Sequence, residues 1–378
     1  MESSAFNAFR EIRREIASLW NQLNRDLNKG GSPDFPLLYE NELSKVVIMK
    51  PETFGKPENW FFIGDIHADF FALHTLLNSI KKQCPDFRLV FMGDLVDRGE
   101  QPVECFFLLL QWAKEHPERI IWLAGNHDIA FTYDNQQKQF VSSVRPSEFL
   151  DFLNIDDEMQ SFRKLLGDFL VKLSGMLPRA VLFPDGLLAT HGGFPLVDKQ
   201  ESAKNFSKVE EIMTWLNSPE CLQDFTWTRI AKYPKRSPNR SSKGCSYGFQ
   251  DFEAFCNLKP DLFPVKRMIT GHEHPETGWQ EFSSYILNPS ATICGFGFDY
   301  MLEAPEKFYR YKPKLMLGRY RKDQLPEPIE IDYSVEELHK FYPPIKPNDP
   351  MTSASIDPPV VDESIGERTS TTSISHPQ

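Results

Sequence analysis

Cysteine is scarce in this chain, and its spacing does not fit a disulfide framework or a zinc ribbon. Both of those need closely spaced cysteine pairs. The six cysteines among 378 residues are scattered, at positions 84, 105, 221, 245, 256 and 294. The pattern therefore predicts a protein of a reducing compartment, and we expect it to be cytoplasmic.

Long apolar runs are missing as well. A helix that spans a bilayer needs about 20 consecutive apolar residues, and no stretch of this sequence approaches that length. The N-terminus is polar and charged, unlike a signal peptide. We therefore expect no transmembrane segment.

Positive charge is in deficit. The chain has 42 Lys and Arg against 53 Asp and Glu, a net charge of −11. A surface that binds nucleic acid or an anionic membrane carries the opposite sign, so we expect no nucleic-acid partner. A local basic pocket remains compatible with this balance. The hydrophobic share of 40% is enough for a sizeable core, in one large domain or two small ones.

The chain does contain three short acidic signatures, each directly after an apolar run. They read GDIH at Gly64–His67, GDLVDRG at Gly93–Gly99 and GNHD at Gly125–Asp128. The preceding runs are 60–63, 89–92 and 120–124. An apolar run that ends in glycine and then a carboxylate or amide is typical of a buried strand that delivers a ligand to a loop.

The segments between these signatures, 69–82 and 101–116, have helical apolar spacing. Alternation of strand and helix predicts parallel βαβ units, and sites in such sheets form outside the carboxyl ends of the strands. The sequence therefore predicts an α/β fold in which the polar signature residues converge. These residues are Asp65, His67, Asp94, Asp97, Arg98, Asn126 and His127.

These side chains supply oxygen and imidazole nitrogen but no thiolate, a donor set that suits Mn, Fe, Zn or Co. A carboxylate such as Asp94 can bridge two ions about 3.5–4 Å apart, which activates a bridging water and neutralises a phosphoryl group. Arg98 offers a fork for two phosphate oxygens. His127 beside Asp97 fits a general acid. Together they predict a hydrolase of phosphate esters.

Two histidine signatures follow, His191-Gly192-Gly193 and then Gly271 to His274. With them, the chain resembles the calcineurin-like metallophosphoesterases and, within these, the phosphoprotein phosphatase family of Ser/Thr phosphatases. Segment 93–99 matches that family's GDxVDRG without a gap, and 177–193 (LPRAVLFPDGLLATHGG) is similar to the segment leading into its metal-binding His-Gly-Gly. The likeness covers about 60–300 and implies a central β-sandwich flanked by helices, with two metals at its rim.

The sequence departs from the family pattern at several motif positions. Asp128 stands where the family has Glu, and Ala68 where it has a second Gly. The segment SKGCSYG at 242–248 is similar to the family's DRGVSYTFG, with Lys243 in place of its Arg. The segment SATICG at 290–295 resembles the overhanging APNYCG loop, with Ile293 for Tyr.

Carried over residue by residue, the resemblance implies two divalent ions, with Mn²⁺ preferred over Fe or Zn. Asp65 and His67 would hold the first ion, and Asp94 would bridge. The second would be held by Asn126, His191 and His272. The resemblance further implies His127 as the general acid with Asp97 as its partner, and Arg98 as the phosphate clamp.

The second phosphate clamp and the role of His274 stay open. Trp227-Thr228-Arg229 resembles a Trp-x-Arg of bacterial-type members, which favours Arg229 over Lys243 and Arg240. A lysine also lacks the two-pronged contact of a guanidinium. His274 is absent from most Ser/Thr phosphatases of the family, but it ligates the first metal in the broader group. We favour the ligand role for His274 over a place behind the ligands or at the rim.

The preferred function is a two-metal phosphoprotein phosphatase in which a bridging hydroxide attacks phosphoserine or phosphothreonine, with phosphotyrosine as a further substrate. The first alternative is a hydrolase of dinucleoside polyphosphates or nucleotides on the same fold. The second is a binding scaffold without activity. Regulatory partners cannot be read from the sequence. The mixed motif variants fit a bacterial protein phosphatase, including one delivered to a host cell.

The sequence divides into three regions. Residues 1–32 contain an amphipathic helix, 33–341 the catalytic domain, and 342–378 a Pro-, Ser- and Thr-rich tail with little to bury, which predicts disorder. Within the domain we expect a polar loop at 134–145, a helical stretch at about 146–173, a basic loop at 229–243 and antiparallel strands within 279–320.

Overall fold

The computed structural model describes most of the predicted domain. The described residues are 44–99, 101–116, 118–145, 147–196, 205–230, 235–238, 243–273, 278–281, 290–293 and 315–341, together with Arg14, Ala17, Ser18 and Asn21. Those four residues are helical. The rest of the predicted N-terminal helix and the predicted tail 342–378 lie outside the described residues.

Strands and helices alternate along this part of the chain. The strands are β1 (Val46–Ile48), β2 (Trp60–Ile63), β3 (Arg88–Phe91), β4 (Ile120–Trp122), β5 (Phe131–Asp134), β6 (Gln139–Ser142), β7 (Ala180–Leu182), β8 (Leu187–Thr190), β9 (Arg229–Ile230), β10 (Ser237–Pro238), β11 (Cys245–Tyr247), β12 (Arg267–Thr270), β13 (Trp279–Glu281), β14 (Ser290–Ile293), β15 (Leu315–Arg319) and β16 (Glu327–Ile331).

The helices are α1 (Pro51–Phe54), α2 (Phe70–Gln83), α3 (Pro102–Glu115), α4 (Glu148–Leu153), α5 (Gln160–Met176), α6 (Val209–Leu216), α7 (Pro219–Trp227), α8 (Phe249–Cys256) and α9 (Val335–Phe341), with a 3-10 turn at Pro57–Asn59. Helices α2 and α3 agree with the predicted helical segments 69–82 and 101–116. Asp69 begins α2 because its side chain accepts a hydrogen bond from the Ala72 N–H. Among the described residues, no helix has the length and apolar character of a membrane span.

Two large sheets form the centre of the fold. One has the order β16-β15-β2-β3-β4, and the other β1-β7-β8-β12-β14-β13. Strands β2, β3 and β4 are parallel, as the βαβ pattern predicts. Strands β8, β12 and β14 are also parallel to one another. The carboxyl ends of both parallel sets therefore carry the loops in which ligands were predicted.

The two sheets pack face to face. Side chains alternate along a strand, so Trp60 and Phe62 of β2 lie on the face that meets the other sheet. Val181 and Phe183 come from the opposite sheet into the same cluster. The rings of Trp60 and Phe183 meet edge to face with centroids 5.1 Å apart. The interior of the sandwich is therefore a continuous aromatic and aliphatic layer.

Helices cover the outer faces of both sheets. Phe61 and Ile63 of β2 pack into a cluster with apolar residues of α2 to α5. Ala180 and Leu182 of β7 pack with residues of α6, α7 and α8. Because both faces are buried, these strands are apolar throughout rather than alternating. The predicted fold, a central β-sandwich flanked by helices, is confirmed.

The predicted polar loop at 134–145 is wrong, because β5 and β6 form an antiparallel hairpin there. Asp134 makes the turn by accepting hydrogen bonds from the N–H groups of Gln136 and Gln137. The predicted helical stretch at 146–173 is helical, but it is not continuous. It is split into α4 and α5, and Asn154 at the break bonds the N–H and the carbonyl of Phe140 in the hairpin.

Two further expectations need correction. The basic segment 229–243 is not a plain loop, because β9 and β10 pair with β11 in a small sheet of order β10-β11-β9. The strands within 279–320 are not all antiparallel. Strand β14 runs parallel to β12, whereas β13 pairs antiparallel with β14 and β15 antiparallel with β2.

Candidate metal and phosphate site

The predicted ligands lie at the carboxyl ends of strands from both sheets. Asp65 and His67 follow β2, Asp94 follows β3, and Asn126 follows β4. From the other sheet, His191 follows β8 directly and His272 follows β12. All six residues are buried, with exposed fractions of 4% or less. The topology therefore brings them together in one interior site, as the sequence predicted.

The loops of this site contain an unusual number of left-handed residues. Positive φ angles occur at His67 (48°), Asp94 (55°), Asp97 (67°), Arg98 (65°) and His272 (67°). This conformation is uncommon for residues with a Cβ, and such strain is typically about 1–3 kcal/mol per residue. The strained backbone turns these side chains towards one another.

Asp128 supports the loop that carries Asp94. Its carboxylate accepts three backbone N–H bonds, from Asp94 (2.8 Å), Leu95 (3.0 Å) and Gly125 (2.9 Å). Burial, followed by the charge of Asp94, raises the pKa of Asp128 to about 6. The left-handed turn at Asp94 is therefore held by its neighbour at the end of β4.

Asp65, His67 and Asp94 form the first group of donors. The Nε2 atom of His67 lies 3.7 Å from Asp65 Oδ2 and 3.7 Å from Asp94 Oδ2. The Nδ1 atom of the same ring is 3.0 Å from the carbonyl of Val96. A carbonyl can only accept, so this contact places the ring proton on Nδ1 and directs the Nε2 lone pair at the carboxylates.

Asp94, Asn126, His191 and His272 form the second group. The Nε2 atom of His191 lies 3.0 Å from Asn126 Oδ1, 3.1 Å from His272 Nδ1 and 3.3 Å from Asp94 Oδ2. Its Nδ1 atom is 3.0 Å from the Met92 carbonyl, which again directs Nε2 into the cluster. The two groups share Asp94 Oδ2.

The buried carboxylates of this site and their histidine neighbours shift one another's pKa values. Burial lowers the pKa of His191, but Asp94 and Asp65 outweigh it and raise that pKa to about 9. Burial raises the pKa of Asp65 to about 7. Buried carboxylates therefore draw positive charge to this point, from protons on histidine or from bound metal.

Two glycines allow the loops to approach the carboxylates. A Cβ at Gly125 would lie 2.1 Å from Asp94 Oδ1, and one at Gly271 would lie 2.5 Å from Asp65 Oδ1. The main-chain N–H of His127 bonds Asp94 Oδ1 at 2.9 Å, and that of His272 bonds Asp65 Oδ1 at 2.9 Å. One oxygen of each carboxylate is thus fixed by the backbone.

His127 and Asp97 form a buried pair beside the first group. The Nδ1 atom of His127 lies 2.6 Å from Asp97 Oδ2. The other oxygen of Asp97 accepts the N–H of Phe149 at 3.1 Å, which fixes the carboxylate. Burial lowers the pKa of His127, but Asp94 and the bond to Asp97 raise it above its ordinary value. A ring nitrogen of His127 also comes within 4.8 Å of ligand atoms of His67 and Asp94.

The predicted clamp residues have different surroundings. Arg98 is half-buried, and its backbone N–H bonds Glu148 Oε2 at 2.8 Å. The Nη1 atom of Arg229 donates to the carbonyl of His272 at 2.5 Å, so this guanidinium borders the second group. Lys243 instead places Nζ over the ring of Trp227, 5.2 Å from its centroid. This geometry favours Arg229 over Lys243. Predicted Arg240 lies outside the described residues.

His274 also lies outside the described residues, so its predicted ligand role stays a prediction. Three supporting residues were not predicted, namely Asp128, Glu148 and Glu273. Each bonds a backbone N–H of a predicted site residue or of the residue beside one. The acidic residue after the Gly-Asn-His signature was the available signal for Asp128.

Comparison with known proteins agrees with the geometry. The profile of calcineurin-like phosphoesterases matches residues 61–276. Serine/threonine-protein phosphatase T of Schizosaccharomyces pombe is 25% identical over 237 residues, which cover 61% of this chain and 45% of that protein. A serine/threonine-protein phosphatase of Caenorhabditis elegans is 24% identical over 228 residues, 59% of this chain and 45% of that protein. The chain thus spans about half the length of the curated relatives it matches.

Among solved structures, a protein serine/threonine phosphatase from Saccharomyces cerevisiae superposes with a TM-score of 0.55 and 15% identity. The superposition covers 86% of this chain and 90% of that one. At that identity the likeness concerns the fold alone.

Proposed function

The chain belongs to the calcineurin-like phosphoesterase family, and from that premise we propose that it is a two-metal phosphoprotein phosphatase. The observation that carries the proposal is the shared position of Asp94. Its Oδ2 atom lies 3.7 Å from His67 Nε2 and 3.3 Å from His191 Nε2. A carboxylate oxygen between two sets of donors has the arrangement that a pair of bridged ions requires.

The donor chemistry fits divalent cations. Carboxylate, amide and imidazole groups suit Mn, Fe and Zn, and the lone pairs of His67 and His191 are directed inward. We propose Mn²⁺ as the preferred ion, with Fe or Zn as alternatives. Asp65, His67 and Asp94 would hold the first ion. Asn126, His191 and His272 would hold the second together with Asp94, and we retain His274 as a further ligand of the first. When bound, such ions supply an activated water and neutralise phosphoryl charge.

The chain's own residues would bind the phosphate and move a proton. Arg98 and Arg229 would contact the phosphoryl oxygens, since a guanidinium donates two parallel hydrogen bonds to an anion. His127 would hold the proton that the leaving oxygen needs, and Asp97 would keep the ring oriented and charged. Lys243 and Arg240 stay as secondary substrate contacts in the proposal.

A phosphoprotein is the favoured substrate class, with phosphoserine and phosphothreonine ahead of phosphotyrosine. The names of the two curated relatives support this preference. A hydrolase of dinucleoside polyphosphates or nucleotides is the alternative on the same fold. It needs stacking surfaces for bases, and Tyr233 is the one aromatic residue of the basic segment 229–243.

A substrate panel tests the proposal. The purified chain is incubated with Mn²⁺ and with phosphoserine, phosphothreonine and phosphotyrosine peptides, a nucleotide and a dinucleoside tetraphosphate, and phosphate release is measured. We expect the first two peptides to have the highest kcat/KM. A far higher value for dinucleoside tetraphosphate would establish the alternative. Metal binding without hydrolysis of any substrate would indicate a binding scaffold.

A further inference from the structure

A carboxylate lies against the candidate phosphate-binding arginine. Glu273 follows His272, and its side chain is 22% exposed. Its Oε1 atom accepts the N–H of Ile230 at 2.9 Å, and its Oε2 atom lies 3.5 Å from Arg229 Nη1. The same Nη1 atom donates to the carbonyl of His272. The dipeptide His272-Glu273 thus holds both the backbone and the side chain of strand β9.

We propose that Glu273 is a positioning residue that fixes Arg229 for phosphate binding, an inference that rests on the proposed function. Within the part of the chain that the structure describes, Nη1 is the one guanidinium nitrogen of Arg229 that is bonded. Nε and Nη2 can then donate side by side to two oxygens of a phosphate. Free arginine side chains carry about 2 kcal/mol of rotamer entropy, which prior fixation removes from the free energy of binding.

Strand β9 is held at the site from two sides, by β11 and by Glu273. It is two residues long and pairs on one side with Ser246 and Tyr247 of β11. Tyr247 is fully buried against Gly193, where an added Cβ would lie 2.5 Å from its ring. The small sheet is thus packed tightly on the loop after His191. Glu273 takes the Ile230 N–H and ties β9 to the loop after β12 as well.

The carboxylate has two opposing effects on an anion. It orients Arg229, and it also repels phosphate. The bonds described above fix Arg229 at two points, the His272 carbonyl and Glu273. We expect the loss of orientation to outweigh the relief of repulsion, because Glu273 makes hydrogen bonds to both Arg229 and the Ile230 N–H, whereas its charge is already paired with that of Arg229.

The test measures inorganic phosphate binding to the Mn²⁺-loaded full chain by calorimetry, together with KM and kcat on a small phenyl phosphate. Glu273→Ala should weaken phosphate binding about tenfold and raise KM more than it lowers kcat. Glu273→Gln should have a smaller effect in the same direction, because its amide oxygen can still accept the Ile230 N–H. Arg229→Ala combined with Glu273→Ala should bind phosphate no more weakly than Arg229→Ala alone.

The matched control is Glu327→Gln. Glu327 begins β16 and forms an ion pair with Arg321. The substitution removes the carboxylate of this pair and should leave phosphate binding unchanged. Metal content should also be unchanged in the Glu273 variants. Metal loss in Glu273→Gln would show that Glu273 serves His272 instead, and would overturn the inference.

Phosphate binding by both Glu273 variants that is as tight as in the wild type, or tighter, would also overturn the inference. An Arg229→Ala variant that binds phosphate as tightly as the wild type would overturn it too. These outcomes are separate from failure of the proposed function. If the expected losses in phosphate binding occur but the wild type releases phosphate from no peptide, the positioning role stands and the phosphatase proposal fails. If the wild type dephosphorylates peptides and the Glu273 variants bind phosphate as tightly as it does, the phosphatase proposal stands and the positioning role fails.

Discussion

Replacement of Asp97 by Asn tests the proposed acid at the pair His127–Asp97. Their contact is a short bond of 2.6 Å between buried side chains. A charge-assisted hydrogen bond of this kind is worth about 1.5–3 kcal/mol. Loss of the negative charge of Asp97 should therefore lower the pKa of His127. In the variant, the amide oxygen of Asn can still accept a weaker hydrogen bond from the ring and so keep it in place.

The sign of the pH effect follows from the raised pKa of His127. Its imidazolium is present below that pKa and is lost as the pH rises through it. In Asp97→Asn the alkaline limb of the kcat profile should therefore move to lower pH. At neutral pH, kcat should fall, within the roughly 10²–10⁴-fold that a general acid contributes.

The leaving group provides the control. A serine oxygen is a poor leaving group and needs the proton, whereas a dinitrophenolate does not. Asp97→Asn should therefore slow a phosphoserine peptide far more than dinitrophenyl phosphate, with metal content unchanged. Equal losses on both substrates, or an unshifted alkaline limb, would refute the role of His127 as acid.

Three further predictions follow from the geometry of the loops and ends. Asp94→Asn should lose both metal and activity, as measured by elemental analysis and phosphate release, whereas retention of both ions would refute the bridge. Gly125→Ala should lower the melting temperature, because its Cβ would lie 2.1 Å from Asp94 Oδ1, whereas Gly175→Ala, with no atom within 4 Å, should leave it equal or higher. Truncation after Phe341 should leave turnover unchanged. Truncation before Val335 also removes α9 and should lower the melting temperature, because Phe341 packs on α2. A large loss of turnover in the variant truncated after Phe341 would show that the tail reaches the site.

The parts of the fold that the sequence predicts best are the strands before the signatures. Each of these strands is an apolar run that ends in glycine, and a parallel strand that is buried on both faces is expected to be apolar throughout. The hairpin 131–142 and the break at Asn154 were not predicted. Few of their residues are apolar, and the bonds between Asn154 and Phe140 that join them depend on the tertiary fold.

In the site, too, some residues could be predicted from local sequence and others depend on the tertiary fold. Signature residues such as Asp94 carry their chemistry in the side chain, so type and spacing suffice to select them. The supporting residues act through backbone groups far along the chain. Asp128 bonds Asp94 N–H across 34 positions, Glu148 bonds Arg98 N–H across 50, and Glu273 bonds Ile230 N–H across 43. Only Asp128 has a local signal, its place directly after the Gly-Asn-His signature; no local pattern records the contacts of Glu148 and Glu273.

The origin of the donors in two different sheets has a consequence for folding. Asp65 and His67 belong to one layer of the sandwich, and His191 and His272 to the other. In the proposed assignment the second ion takes Asp94 and Asn126 from one layer and His191 and His272 from the other, so it would bind with its full set of donors only after the layers have docked in register. Binding of this kind stabilises the folded chain by RT ln(1 + [L]/Kd), about 2.7 kcal/mol at a hundredfold excess over Kd. Bound metal would thus hold the two sheets of the sandwich together, and the stability of the folded chain would depend on the supply of metal.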